Sequence, residues 1–141
     1  MQTYDVELKK NEVLCREGDV ETDLYIVQSG ELLVCVRKGT QVTAVAKLGV
    51  GEYIGELSFF DNKPRGADII AASDCKLVKI PAVEIRESFP SWLTTVGKML
   101  ALKLRLHDDV IRSKGIKKSN VETIKPLSMD DQRLYFQLLS K

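Results

Sequence analysis

The stretch Gly55-Glu56-Leu57-Ser58-Phe59-Phe60-Asp61-Asn62-Lys63-Pro64-Arg65-Gly66-Ala67-Asp68 breaks into a series of strand-like segments with a carboxylate, an arginine and several small or chain-bending residues. On either side, from Tyr4 to Ile80, short β-rich segments are separated by Gly, Asp and Lys: Tyr4 to Leu8, Glu12 to Arg16, Leu24 to Gln28, Leu32 to Arg37, Val42 to Leu48, Asp68 to Ala72 and Lys76 to Ile80. Several alternate with period two, Val34 and Val36 and then Val42, Ala44 and Ala46 facing one way. Turn signals at Gly18-Asp19, Ser29-Gly30, Lys38-Gly39 and Gly49-Val50-Gly51 recur at intervals typical of a sandwich or small barrel. The expectation is an all-β body.

After Pro81 the period changes. Proline at the first turn opens a short helix to Ser88, and Phe89-Pro90 closes it. Ser91 then caps a long helix expected to run to about Ser113, with Gly115 as its stop. Along it Leu93, Gly97, Leu100, Leu104, His107 and Ile111 recur at four-three-four spacing, which suits either a core-packing face or a dimer seam. Gly115 to Pro126 reads as a polar linker. Ser128, followed by Asp130 and Asp131 in the first turn, starts a last helix that carries Leu134, Phe136, Leu138 and Leu139 and is expected to dock. The division is therefore 1–115 for the β body with its long helix, and 116–141 for linker and terminal helix.

Bulk properties bound the function. The chain has 141 residues, enough for one domain with a real core. Its 21 basic and 20 acidic residues give a net charge of +1, so no global field captures nucleic acid or an anionic membrane, and anion binding must be local. The apolar runs are short, and Met1-Gln2-Thr3-Tyr4-Asp5 lacks the layout of a secretory signal, so a cytoplasmic protein without membrane attachment is expected. Cys15, Cys35 and Cys75 lie far apart in apolar segments and read as buried, reduced thiols rather than metal ligands. His107 is the only histidine and falls in a charged helical stretch, which leaves no nucleophile, acid-base or metal set for an enzyme.

The opening stretch reads as a loop with a one-turn helix from about Leu57. Glycine followed by a short helix exposes unpaired backbone N–H groups that, with the helix dipole, favour an anion. Arg65, set by Pro64, could reach that anion through charge-assisted hydrogen bonds, which are about twice as strong as neutral ones. Gly66 and Ala67 allow the backbone to approach a ligand closely. A phosphate would repel Glu56, which fits such a site only as acceptor of a ligand hydroxyl; one phosphate with one free ribose hydroxyl satisfies both residues, as in a cyclic nucleotide. Spacing alone leaves a second reading open, in which Glu56 and Arg65 pair across a surface turn for about 0–1 kcal/mol and Ser58 is incidental.

The same stretch resembles the phosphate-binding cassette of cyclic nucleotide-binding domains, the family that includes protein kinase A regulatory subunits and catabolite activators. Leu14-Cys15-Arg16-Glu17-Gly18-Asp19 and Leu24-Tyr25-Ile26-Val27-Gln28-Ser29-Gly30-Glu31 resemble its paired-glycine strands, and Gly51-Glu52-Tyr53-Ile54-Gly55-Glu56-Leu57 its lead into the cassette, a likeness reaching from about Glu7 to Ile111. The resemblance implies a mainly β jelly roll followed by helices. It makes Glu56 the acceptor for the ribose 2′-hydroxyl and Arg65 the partner of the cyclic phosphate. Backbone N–H groups of Leu57 and Ala67 join the cradle, and Gly55, Ser58 and Gly66 complete the ligand-binding set. Departures are Phe59, Glu21, Gly66 in place of Ser, Thr or Ala, and Asp68 just beyond the cradle. Lacking a hydroxyl at Gly66, the site is expected to take cAMP before cGMP; strand alternation turns Asp68 away from it. Lys103, Leu104, Arg105 and His107 are candidates for a lid over the purine, with none preferred.

The functional expectation is a cyclic nucleotide sensor, not an enzyme and without cofactor or metal, that shifts its helices and signals to an unidentified effector protein, with a homodimer possible through the long helix. In the activators a winged-helix DNA reader follows that helix, whereas 116–141 is too short for one, so direct DNA binding is not expected. The alternative is a degenerate scaffold of the same fold that binds partner proteins without a ligand.

Overall fold

The computed structural model describes residues 2–114 and 127–140; side chains beyond His107 in the long helix, Ile111 among them, and the expected linker with its Gly115 stop lie outside the description. Among the described residues eight strands form: β1 (Tyr4–Leu8), β2 (Val13–Cys15), β3 (Leu24–Ser29), β4 (Leu32–Lys38), β5 (Gln41–Leu48), β6 (Tyr53–Ile54), β7 (Asp68–Ala71) and β8 (Cys75–Ile80). They build two four-stranded antiparallel sheets in the orders β1-β8-β3-β6 and β2-β7-β4-β5, a jelly-roll sandwich. Period-two alternation turns Tyr25 and Val27 of β3, and Cys75 and Leu77 of β8, inward against Leu8, Leu32, Ile54, Ile69 and Ala71. Leu32 and Leu77 are wholly buried, each side chain worth about 1.5–3 kcal/mol by transfer from water. Cys15, Cys35 and Cys75 are free and buried, as the sequence implies.

The helices follow the period change. Between β6 and β7 lies α1 (Glu56–Asp61); after β8 come α2 (Ala82–Arg86), α3 (Ser91–Lys114) and α4 (Met129–Leu139). None of the described helices is long and apolar enough to cross a membrane.

Three local expectations change. The pairing of β4 with β5 shifts register between Val34 and Cys35, where Val45 is passed over, so Thr43 and Ala46 share the face of Val36 and Val34. Such a bulge reverses the phase of the alternation and removes Val42 and Ala44 from that face. On α3 the four-three-four stripe divides: its Gly97 is buried and its Leu93 half-buried, together with Ala101 and Arg105 from outside it, while Leu100 and Leu104 are 55% and 51% exposed. A straight helix packing at one crossing buries positions four apart rather than a continuous heptad seam. The cap of α4 forms as expected, Ser128 Oγ accepting from the Asp131 N–H at 3.1 Å, yet no residue of α4 is buried, so the helix does not dock on the described body.

Candidate functional site

Two segments far apart in the chain fix Arg65. Its N–H donates to the Asp19 carbonyl and its carbonyl accepts from the Gly18 N–H, both at 2.8 Å, so the glycine turn after β2 clamps the end of the cassette loop. The side chain then runs inward and is only 4% exposed. Nη2 donates to the Asp23 carbonyl at 2.6 Å and Nη1 to the Gly55 carbonyl at 3.3 Å, and the Glu21 carboxylate lies 3.9 Å away. Nε is buried and has no acceptor among the described residues. Gly55 is doubly required: its φ is +90°, and a Cβ there would fall 2.0 Å from Arg65 Nη1.

Behind the guanidinium stands a polar network that ties it to both β8 and α2. Lys79 Nζ reaches Glu21 and Asp23 at 3.1 Å each, and Asp23 Oδ1 accepts from the Ala82 N–H at 2.8 Å. Burial raises the Asp23 carboxyl, but the Ala82 N–H and Lys79 outweigh it and hold the group below its usual range. The Tyr25 hydroxyl donates to Glu21, and burial pushes that phenol upward, keeping it a donor. Glu21, an unusual letter in the sequence, is thus the carboxylate facing Arg65; Glu56 is not, and the surface pair Glu56–Arg65 does not form.

The loop and helix α1 wall one side of a cavity of about 600 Å³ that opens between them and the β4–β5 hairpin. All seven sequence-derived residues, Gly55, Glu56, Leu57, Ser58, Arg65, Gly66 and Ala67, line it together. Glu56 is exposed, and among the described residues its carboxylate has no partner. The opposite wall, which spacing did not reveal, is mostly apolar: Val34, Val36, Thr43, Val45 and Ala46, with Lys38 and Gln41 at the hairpin. Alternation already groups Val34, Val36 and Ala46; Thr43 and Val45 join them only through the bulge. Cys15 also lines the cavity, where burial pushes its thiol up to about 11 and leaves it unreactive. Asp68 turns away from it, accepting from the Glu17 N–H at 2.9 Å and from Arg37 Nη2 at 2.8 Å. Those Arg37 hydrogen bonds chiefly hold its carboxyl below the usual value.

Two arginines hold α1 from the helical side. Arg86 of α2 donates from Nη2 to the Ser58 carbonyl at 3.1 Å and from Nε to the Phe59 carbonyl at 2.7 Å, a cation at the carboxyl end of a helix where its dipole favours one. Arg105 of α3 reaches Asp61 through Nε and Nη2, the latter at 3.1 Å, and lies 3.4 Å from Ser58 Oγ. Phe59, Phe60 and Phe89 pack around this junction, with edge-on centroids 5.2 Å apart for Phe59 and Phe60. Of the four lid candidates, Arg105 is half-buried and turned onto α1; Lys103, Leu104 and His107 are exposed.

Residues 5–89 match the family model described as the cyclic nucleotide-binding domain. The lysophospholipase nte1 of Aspergillus fumigatus is 28% identical over 124 residues, which is 84% of this chain and 8% of that protein; the chain thus spans under a tenth of such relatives. Among solved structures, the EAL enzyme Bd1971 in its cAMP-bound form superposes with a TM-score of 0.69 at 21% identity, over 97% of this chain and 33% of that one. The regulatory domain of Toxoplasma gondii protein kinase A with cAMP gives 0.60 at 23% identity, over 74% and 39%. At these identities the structural likeness concerns the fold.

Proposed function

We propose that this chain, which belongs to the cyclic nucleotide-binding domain family, binds a cyclic nucleotide, cAMP before cGMP, and transmits occupancy to an effector through its helices. The observation that supports this best is Arg65 Nε, a buried cationic donor without an acceptor at the wall of a 600 Å³ cavity. An unsatisfied buried donor costs about 1–3 kcal/mol, so its retention fits an acceptor that arrives with a ligand. A phosphate oxygen is such an acceptor, and the free Glu56 carboxylate on the same wall suits a ribose hydroxyl. The apolar wall of Val34, Val36 and Val45 suits a purine face.

No group in the site is arranged for catalysis on this reading. Arg65 is fixed by carbonyls, Glu56 has no acid-base partner, and Cys15 is protonated, so the module binds without turning its ligand over and needs no cofactor. A scaffold that binds no nucleotide would be favoured by an Arg65 satisfied within the protein, and its Nε is not. Signal transmission rests on α1, which is held to α2 by Arg86 and to α3 by Arg105. The exposed face of α3 around Val96, Leu100 and Leu104 is offered, on this reading, to a second copy of the chain.

Calorimetric titration with cAMP, cGMP and 2′-deoxy-cAMP checks this. Arg65→Ala should weaken cAMP binding by more than tenfold, the loss of about 1.5–3 kcal/mol from a charge-assisted contact. The 2′-deoxy analogue should bind worse than cAMP to the wild type and equally to Glu56→Ala. Unchanged affinity in Arg65→Ala would remove the cavity from consideration.

A further inference from the structure

Gly66 departs from the family's usual letter, and its backbone does not account for this: its φ lies outside the positive region that Gly18, Gly30, Gly39, Gly51 and Gly55 occupy. What a side chain there would meet is Arg105, whose Nη1 lies 3.2 Å from the position of a Cβ. A contact that tight is ordinarily relieved by letting a long side chain swing aside. Arg105 has little room to do so, because Asp61 holds it through both carboxylate oxygens and Ser58 Oγ lies at 3.4 Å. The Asp61 side chain is 7% exposed and that of Arg105 18%, so water does little to loosen the pair.

We propose that Arg105 is the positioning residue through which α3 engages the rim of the cavity, and that residue 66 is glycine so that Arg105 can reach it. This rests on the nucleotide reading above. Ser58 and Gly66 both line the cavity, and Gly66 adjoins Arg65, so an anion held there lies beside a second guanidinium carried by another element. Arg105 already stands at the rim without a ligand, so an anion in the cavity tightens a contact that exists, and α3 senses it because it carries Arg105. Gly97 keeps the helix close enough for this, since a Cβ there would fall 2.1 Å from the Phe60 ring.

The test is a double-mutant cycle of Gly66→Ala and Arg105→Ala, read by thermal unfolding of the ligand-free protein and by titration with cAMP. Gly66→Ala should lower the melting temperature and weaken cAMP binding by about threefold to tenfold in the wild-type background, and should do neither once Arg105 is alanine. Asp61→Asn, which loosens Arg105 from its other side, should likewise shrink the effect of Gly66→Ala. Trp92, the only tryptophan, sits on α3 and reports the helix: its emission should change on cAMP addition in the wild type and stay fixed in Arg105→Ala at saturating cAMP. Additive effects in the cycle, or an unaltered Trp92 response in Arg105→Ala, would overturn the role of Arg105 while leaving nucleotide binding intact. Absence of any cAMP or cGMP binding by the folded wild type would instead overturn the nucleotide reading and this inference with it.

Discussion

Single residues at this site are legible to different depths. Arg65 and Glu56 can be singled out in the sequence because a cation and a carboxylate beside two glycines need a reason, but spacing cannot say whether they meet. They do not: Arg65 faces Glu21 and two carbonyls, and Glu56 has no partner among the described residues. The difference lies in a side chain's direction, which the fold sets. Asp61 illustrates a residue that reads only as turn chemistry until α3 is in place. Burial raises its carboxyl, but hydrogen bonds from Arg105 and from the Lys63 N–H outweigh this and hold it below the ordinary value of 3.8. Its folded pKa being depressed, its contribution to stability is fully present above about pH 4 and is lost as pH falls through the folded value. Asp61→Asn should therefore lower the melting temperature at pH 7 and flatten part of its decline between about pH 4 and pH 2, measured by circular dichroism. An acid profile parallel to the wild type would show that Arg105 does not stabilise the Asp61 anion.

At the scale of elements, strands and helices follow from period and punctuation, whereas faces do not. Seven strands and the three helices after Pro81 lie where the alternation, Pro81, Ser91 and Ser128 place them, and only the two-residue β6 escapes, being too short to show a period. Phase is another matter: one bulge at Val45 exchanges the faces of β5, and the crossing of α3 over α1 selects Gly97 and Ala101 over Leu100 and Leu104. Gly97→Ala puts the two levels in opposition. Helix propensity alone predicts a gain of about 0.8–1.0 kcal/mol. A methyl group 2.1 Å from the Phe60 ring instead overpacks the junction at a cost of about 1–3 kcal/mol, so the net result should be destabilisation, checked by urea unfolding. A stabilised variant would mean that α3 does not rest on Phe60.

At the scale of the whole molecule, α3 carries an apolar face that no described residue covers. Val96, Leu100 and Leu104 stay exposed on α3, and no residue of α4 is buried to cover them. If α3 pairs with a second copy, light scattering should give a dimer, and Leu100→Glu with Leu104→Glu should give a monomer with the β body intact; a monomeric wild type would exclude the seam. The all-β body, the position of the helices and the cassette can be read from the chain's letters, because they depend on local periodicity, turn residues and short motifs. That Gly18 clamps Arg65, that Glu21 rather than Glu56 faces it, and that Arg105 reaches from α3 to the residue beside it follow only from the packing of the folded chain. Those contacts join residues tens of positions apart, and their geometry is set by how two sheets and a helix pack, which no local pattern encodes.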